Sequence, residues 1–266
     1  CKCEFAVMDT ALGVMKILLL SNLDWPSFQF LDSLLPKLRM HKCQVFLTRR
    51  VGSDRLLPGA LAALGAKDQS ILGAALGIMA KDEAASLEAP LVEAMQGHFN
   101  CAVEMVDTIN LGLGRREAEV FGPELIVSVR FGSILRMPAI RLPRHGVINL
   151  HSGLLPEYRG IMATFWAMVR QEARYGFTVH QIVDEGIDTG PIVSRKSLPL
   201  DLGLDYSTLL ANLYQAALPE LIGSIERVQQ TGSLETHAPE GTGEYFGLPD
   251  QTAIERFESL GYRWWP

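Results

Sequence analysis

Residues Leu125–Val129 read LIVSV, a run without apolar–polar alternation, and a strand of that kind has to be covered on both faces. The requirement points to a sheet held between layers of helix, and the flanking sequence supplies the helices. Lys16–Leu20 (KILLL) reads as a buried strand, with turn and cap chemistry at Ser21, Asn22 and Asp24. The helical pattern Phe28, Leu31, Leu34, Leu35 and Leu38 follows. Gln44–Thr48 (QVFLT) is a second strand. Strand, helix and strand at these lengths begin a parallel sheet with right-handed crossovers.

The same logic places strands at Cys101–Val106, Val147–His151, Thr178–Val183 and Ile192–Leu198, the last two as a pair, and helices at Arg115–Val120, Met162–Gln171 and Tyr206–Gln229. Residues 52–98 are Ala-rich and read as helix in pieces broken by Gly59, Gly65, Gly73 and Pro90. After Thr231 the composition turns to Gly, Pro, Thr and Glu. A short helix is predicted near Thr252–Leu260, and the aromatic end Tyr262, Trp264 and Trp265 either closes the core or meets a second subunit in a homodimer. The predicted fold class is α/β, a Rossmann-like, mostly parallel sheet with helices on both faces. Residues 15–200 form the catalytic unit and 201–266 a C-terminal helix and appendage. Met15 stands directly before the first strand-like run, so residues 1–14 read as an extension with no folded role.

Composition narrows the partners. A net charge of −6 and a pI near 5.6 give no basic footprint for phosphates, so nucleic acid is disfavoured and a small molecule becomes the default ligand. Four cysteines at 1, 3, 43 and 101 are too few and too dispersed for a disulfide framework, and Cys1-x-Cys3 lacks a second ligand cluster, so no metal is expected. A cytoplasmic setting fits that cysteine usage. No apolar run approaches a membrane span. Gly112-Leu-Gly114 fails the dinucleotide fingerprint because Glu117 stands at the third glycine position.

The chemistry concentrates in NLHSGLLPEYRG at 149–160 and HQIVDEGIDTGPI at 180–192. Asn149 and His151 are two apart at the end of an apolar run, and a strand sends such residues to one face, so an amide donor and an imidazole emerge side by side. Transfer of an acyl group to a nucleophile passes through a tetrahedral centre with an oxyanion. Such a site needs a donor for that oxygen, which Asn149 provides, and a proton carrier, which His151 provides near neutral pH. Asp188 can take a proton from the nucleophile, directly or through water, and can hold His151 cationic. An isolated N-x-H is more often a strand end with local hydrogen bonds; LLPEYRG behind it and DEGIDTG downstream tip the balance.

These two stretches, GVINLHSGLLPEYRG and FTVHQIVDEGIDTGPIV, resemble the folate-dependent formyltransferase family, whose members include glycinamide ribonucleotide, methionyl-tRNA and sugar N-formyltransferases. The resemblance is specific over roughly 125–200. It implies a domain that passes the formyl group of 10-formyltetrahydrofolate to an amine, with catalytic residues matching Asn149, His151 and Asp188. It also implies that 131–135 and 183–187 line the folate pocket. Phe131, Ile134 and Leu135 would be apolar walls, Gly132 a close backbone approach, and Val183, Asp184, Glu185 and Ile187 part of a loop wrapping the pterin. His180 also matches a family position and is assigned to orienting its neighbours.

Three departures bear on substrate. Gly153 stands where the family commonly has Ser, which removes a hydroxyl and softens the turn. The first strand-to-helix turn, LLLSNLDWPSFQF, lacks the Gly-rich anion cradle a ribonucleotide phosphate requires. Residues 201–266 leave little room for the barrel that methionyl-tRNA formyltransferases carry. The expected acceptor is therefore a small amine: an amino sugar, a sugar nucleotide or an amino-acid derivative. It would approach near Asn22–Phe28. The alternatives are a hydrolase giving the formyl group to water and a folate-binding protein without turnover.

Overall fold

The computed structural model describes residues 13–49, 57–78 and 86–266. Its chain order is β1 (Lys16–Asn22), α1 (Trp25–Leu34), β2 (Lys42–Thr48), α2 (Gly59–Ala75), α3 (Glu88–Phe99), β3 (Ala102–Met105), α4 (Gly112–Phe121) and β4 (Leu125–Val129). There follow α5 (Met137–Ile140), β5 (Val147–His151), β6 (Tyr158–Gly160), α6 (Ala163–Val169), β7 (Arg174–Ile182), β8 (Ile192–Pro199), α7 (Tyr206–Thr231), β9 (Glu244–Phe246) and α8 (Gln251–Ser259). Seven strands form one sheet in the order β3-β2-β1-β4-β5-β7-β8; β6 and β9 form a separate pair. The first five strands of that order are parallel, whereas β7 runs antiparallel to both β5 and β8. Because β1 leads to β2 on one side and lies beside β4 on the other, the sheet has a topological switch point at β1/β4, where open α/β sheets bind ligands beyond the strands' carboxyl ends.

The expected two-sided burial of Leu125–Val129 is borne out, since all five residues are buried. Alternate residues feed two cores. Val127, Val129, Ile148 and Leu150 join the larger, which α1, α6, α7 and α8 cover; Ile126, Val147 and Leu20 join the smaller, with Ala118 of α4 and Ala139 and Ile140 of α5. The larger core runs on into α7 through Leu209, Leu213, Leu221 and Ile225, and Trp264 stacks on Phe165 at 5.5 Å. Trp264 and Tyr262 thus pack onto the chain's own core.

The predicted breaks in 52–98 need correction where they can be seen. Gly65 and Gly73 lie inside α2, Gly59 opens it, and Pro90 sits in the first turn of α3, where a missing N–H costs nothing because that amide has no intrahelical acceptor. Residues 52–56 and 79–85 of that stretch, and 1–12, including Cys1 and Cys3, lie outside the described residues.

Candidate active site

On β5, Asn149 and His151 follow Val147 at alternate positions and so point to the face of the smaller core, past the end of its helical cover. Register sets His180 of β7 opposite Asn149 and Thr178 opposite His151. Asn149 Nδ2 lies 3.0 Å from His180 Nε2, and His180 Nδ1 lies 3.1 Å from the Gln181 carbonyl oxygen. That carbonyl can only accept, so Nδ1 carries a proton, and Nε2 faces both the Asn149 amide and the Asp188 carboxylate. His180 is 1% exposed.

Asp188 returns to this face after the loop 183–187, through a left-handed backbone (φ +53°). Its carboxylate lies 3.6 Å from His151 Nδ1 and 3.4 Å from His180 Nε2, and it accepts a 2.8 Å hydrogen bond from the Gly160 amide. Burial alone would raise this carboxyl, but the charge of His151, the contact with His180 and the Gly160 N–H outweigh it and hold the group at about 2. His151 Nε2 donates to the Tyr158 carbonyl oxygen at 2.6 Å. With Nε2 so committed, Nδ1 is the ring nitrogen that faces the Asp188 carboxylate. The 3.6 Å gap is an ion-pair contact rather than a hydrogen bond.

Gly153 has a steric explanation that the sequence could not supply. A Cβ there would lie 2.6 Å from His151 Nε2 and 2.7 Å from both the Ala163 Cβ and the Tyr158 oxygen. The turn is thus crowded against the imidazole, and no side chain fits, which corrects the expectation of a softened turn.

The expected cofactor residues divide by environment. Phe131 packs, half-buried, against the smaller core beside Met137 and Ile182, whereas Leu135 is inside that core at 4% exposure and Ile134 is 48% exposed. The Gly132 amide donates to Thr48 Oγ1 at 2.8 Å, so the close approach expected of this glycine is made to Thr48. Glu185 binds Arg136 Nη1 at 2.7 Å and accepts from the Met137 amide at 3.1 Å, while Asp184 accepts from the Gly186 amide at 2.8 Å. Glu185 thus ties the loop to the 131–137 segment and Asp184 tightens it from within, with Val183 exposed and Ile187 half-buried.

A second polar cluster, missed in the sequence, occupies the switch point. Asp24 caps α1 by accepting from the Ser27 amide at 2.8 Å and also accepts from Asn22 Nδ2 at 2.8 Å and Arg130 Nη2 at 2.7 Å. Arg130 stands at the end of β4 in a left-handed conformation (φ +63°), and Asp68 of α2 lies within reach of both charges. Burial and the nearby Asp24 push the Asp68 carboxyl up to about 7, against the pull of Arg130. Arg130 and Asp24 are 106 positions apart, so only the cap at Asp24 was legible. Beyond Trp25, a cavity of about 320 Å³ opens between α1, α2 and α7, walled by Trp25, Gln29, Lys67, Thr208 and Trp265. Trp25 itself stacks on Phe28 at 5.7 Å.

Fold and site together define an α/β protein with an amide, two imidazoles and a carboxylate gathered at the carboxyl edge of a doubly wound sheet. Residues 114–222 match the model of the formyl transferase family. Over 133 residues the chain is 34% identical to a methionyl-tRNA formyltransferase of Thermodesulfovibrio yellowstonii, an alignment covering 47% of this chain and 42% of that protein. The chain thus spans under half the length of this relative. A sugar N-formyltransferase from Shewanella sp FDAARGOS_354 superposes with a TM-score of 0.56 at 17% identity, covering 92% of this chain and 79% of that one. HypX from Aquifex aeolicus in complex with tetrahydrofolic acid gives 0.56 at 14% identity, covering 91% and 31%. At these identities the structural likeness concerns the fold. No described helix is long and apolar enough to cross a membrane.

Proposed function

We propose that the protein is an N-formyltransferase that moves the formyl group of 10-formyltetrahydrofolate to the amine of a small acceptor. The observation that carries this reading is the approach of Asp188 to His151 within 3.6 Å, beside His180 and the amide of Asn149. The residues present fit a folate. Phe131, Met137 and Ile182 are partly buried apolar side chains on the smaller core, and Glu185 ties the 183–187 loop to Met137. The folate supplies a formyl group on a nitrogen. Asn149 presents an amide hydrogen to the formyl oxygen as negative charge develops there, a type of contact worth about 10²–10³ in rate. His151 Nδ1 passes a proton to the departing folate nitrogen and is reprotonated by the proton the amine loses, which balances the exchange of one C–N bond for another. Asp188, with its carboxyl at about 2, acts as a fixed negative charge and proton-path anchor rather than as a strong base.

On the acceptor side, Asp24, Arg130 and Asp68 together carry no net positive charge, which favours a neutral or cationic head group over a phosphate. A second reading takes an aminoacyl-tRNA as acceptor. The 34% identity to a methionyl-tRNA formyltransferase favours it, against the net charge of −6. The test is formyl transfer and formate release from 10-formyltetrahydrofolate with amino sugars, amino acids or methionyl-tRNA. Amine-dependent turnover supports the proposal; amine-independent formate release at full rate favours the hydrolase. Folate binding without turnover, indifferent to Asn149→Ala, leaves only a binding protein.

A further inference from the structure

We infer that the C-terminal strand β9 belongs to the catalytic apparatus: by pairing with β6 it positions the two backbone groups that hold His151 and Asp188 together, which makes Gly160 and Phe246 positioning residues. The inference rests on the proposed roles of His151 and Asp188.

β6 is only three residues long, yet it touches both partners. The Tyr158 carbonyl oxygen accepts from His151 Nε2 at 2.6 Å, and two positions on, the Gly160 N–H donates to Asp188 Oδ2 at 2.8 Å. The spacing of imidazole and carboxylate is thus set by one short piece of backbone. A strand of three residues with no neighbour does not hold its shape. Its neighbour is β9, paired Tyr158 to Glu244, Arg159 to Tyr245 and Gly160 to Phe246, with the Ile161 amide donating to the Phe246 oxygen at 2.8 Å.

Gly160 is required by this arrangement twice over. Its φ of +99° is one that residues with side chains rarely adopt, and a Cβ there would run into the Phe246 carbonyl oxygen. The Phe246 ring in turn fastens the strand pair. It is 5% exposed, stacks on Tyr158 at 5.1 Å with 15° between planes, and lies under the Arg170 guanidinium at 4.5 Å. Arg170 also binds Glu244 at 2.8 Å, and Trp166 Nε1 donates to the Gly247 oxygen at 3.1 Å. These contacts join residues 244–247, in the segment that follows α7, to the catalytic pair through one strand. A displacement of about 1 Å at such a point is enough to cost about a hundredfold in rate.

The titratable groups facing Asp188 among the described residues are His151 and His180. Loss of the Gly160 hydrogen bond removes one of the contacts that stabilise its charged form, so its carboxyl should titrate higher. The experiment compares wild type, Gly160→Ala, Phe246→Ala and Phe246→Leu in the full chain, with folding checked by circular dichroism. Carbon NMR of labelled aspartate follows Asp188, its signal assigned through Asp188→Asn.

The expected result is an Asp188 midpoint moved upward in Gly160→Ala and Phe246→Ala, with kcat lowered tenfold or more, KM for the folate little changed and the acid limb of the kcat profile raised. Phe246→Leu, which keeps the apolar bulk, should recover part of both effects. Folded variants whose Asp188 titrates as in wild type overturn the inference. If Gly160→Ala does not fold, the two Phe246 variants decide the question. Absence of formyl transfer by the wild type would strike the proposed function, whereas the NMR titration still decides whether β9 sets the environment of Asp188.

Discussion

The role proposed for Asn149 depends on its neighbours. Its amide lies 3.0 Å from His180 Nε2, and in the proposed mechanism an amide hydrogen is the donor to the formyl oxygen. Asn149→Ala should lower kcat about 10²–10³-fold with a small change in folate KM, measured under steady-state conditions. Asp188 makes a prediction about stability. Its carboxyl is depressed from the ordinary 3.8 to about 2, so its contribution is present above pH 4 and disappears as pH falls from 3.8 towards 2. A shift of that size corresponds to about 2 kcal/mol. Urea unfolding should show wild type losing about that much more stability than Asp188→Asn across this window. The types of these residues were readable from two short motifs, because the chemistry needs an amide, an imidazole and an acid. Their protonation was not, because it depends on carbonyls and amides contributed by Gln181, Tyr158 and Gly160.

At the scale of elements, legibility followed length and periodicity. Long apolar runs such as Leu125–Val129 and the stripe of α7 announced themselves, and the pairing of β7 with β8, though not its direction, was anticipated. The three-residue strands β6 and β9 left no signal, since so short a segment carries no period. The junction of β1, α1 and β4 is the element-level weak point. Asp24 caps α1 and also neutralises the buried Arg130, whose side chain is 18% exposed. Asp24→Ala should therefore cost about 3–5 kcal/mol, because a buried guanidinium loses its partner along with the cap. Asp24→Ala combined with Arg130→Met should recover part of that loss in a denaturation series, which an independent cap effect would not produce.

Across the whole molecule, the doubly wound sheet puts the switch point, the Asn149 face and the 183–187 loop on one edge, while α7 and the aromatic end close the larger core behind them. A non-reactive folate analogue at about a hundredfold excess over its Kd should stabilise the protein by about 2.7 kcal/mol, read as a rise in Tm. The same analogue should raise the Tm of Asn149→Ala, which keeps the proposed lining residues Phe131 and Ile182, and a failure there would count against that lining. Local pattern was enough to specify an α/β chain, most of its strands and the kinds of side chain at its site, because periodicity and reactivity are properties of neighbouring residues. Strand order, the clamp of β9 on β6, the Asp24–Arg130 pair and the low carboxyl of Asp188 arose only on folding. Each is a matter of distances between residues remote in the chain, and burial and charge act through space.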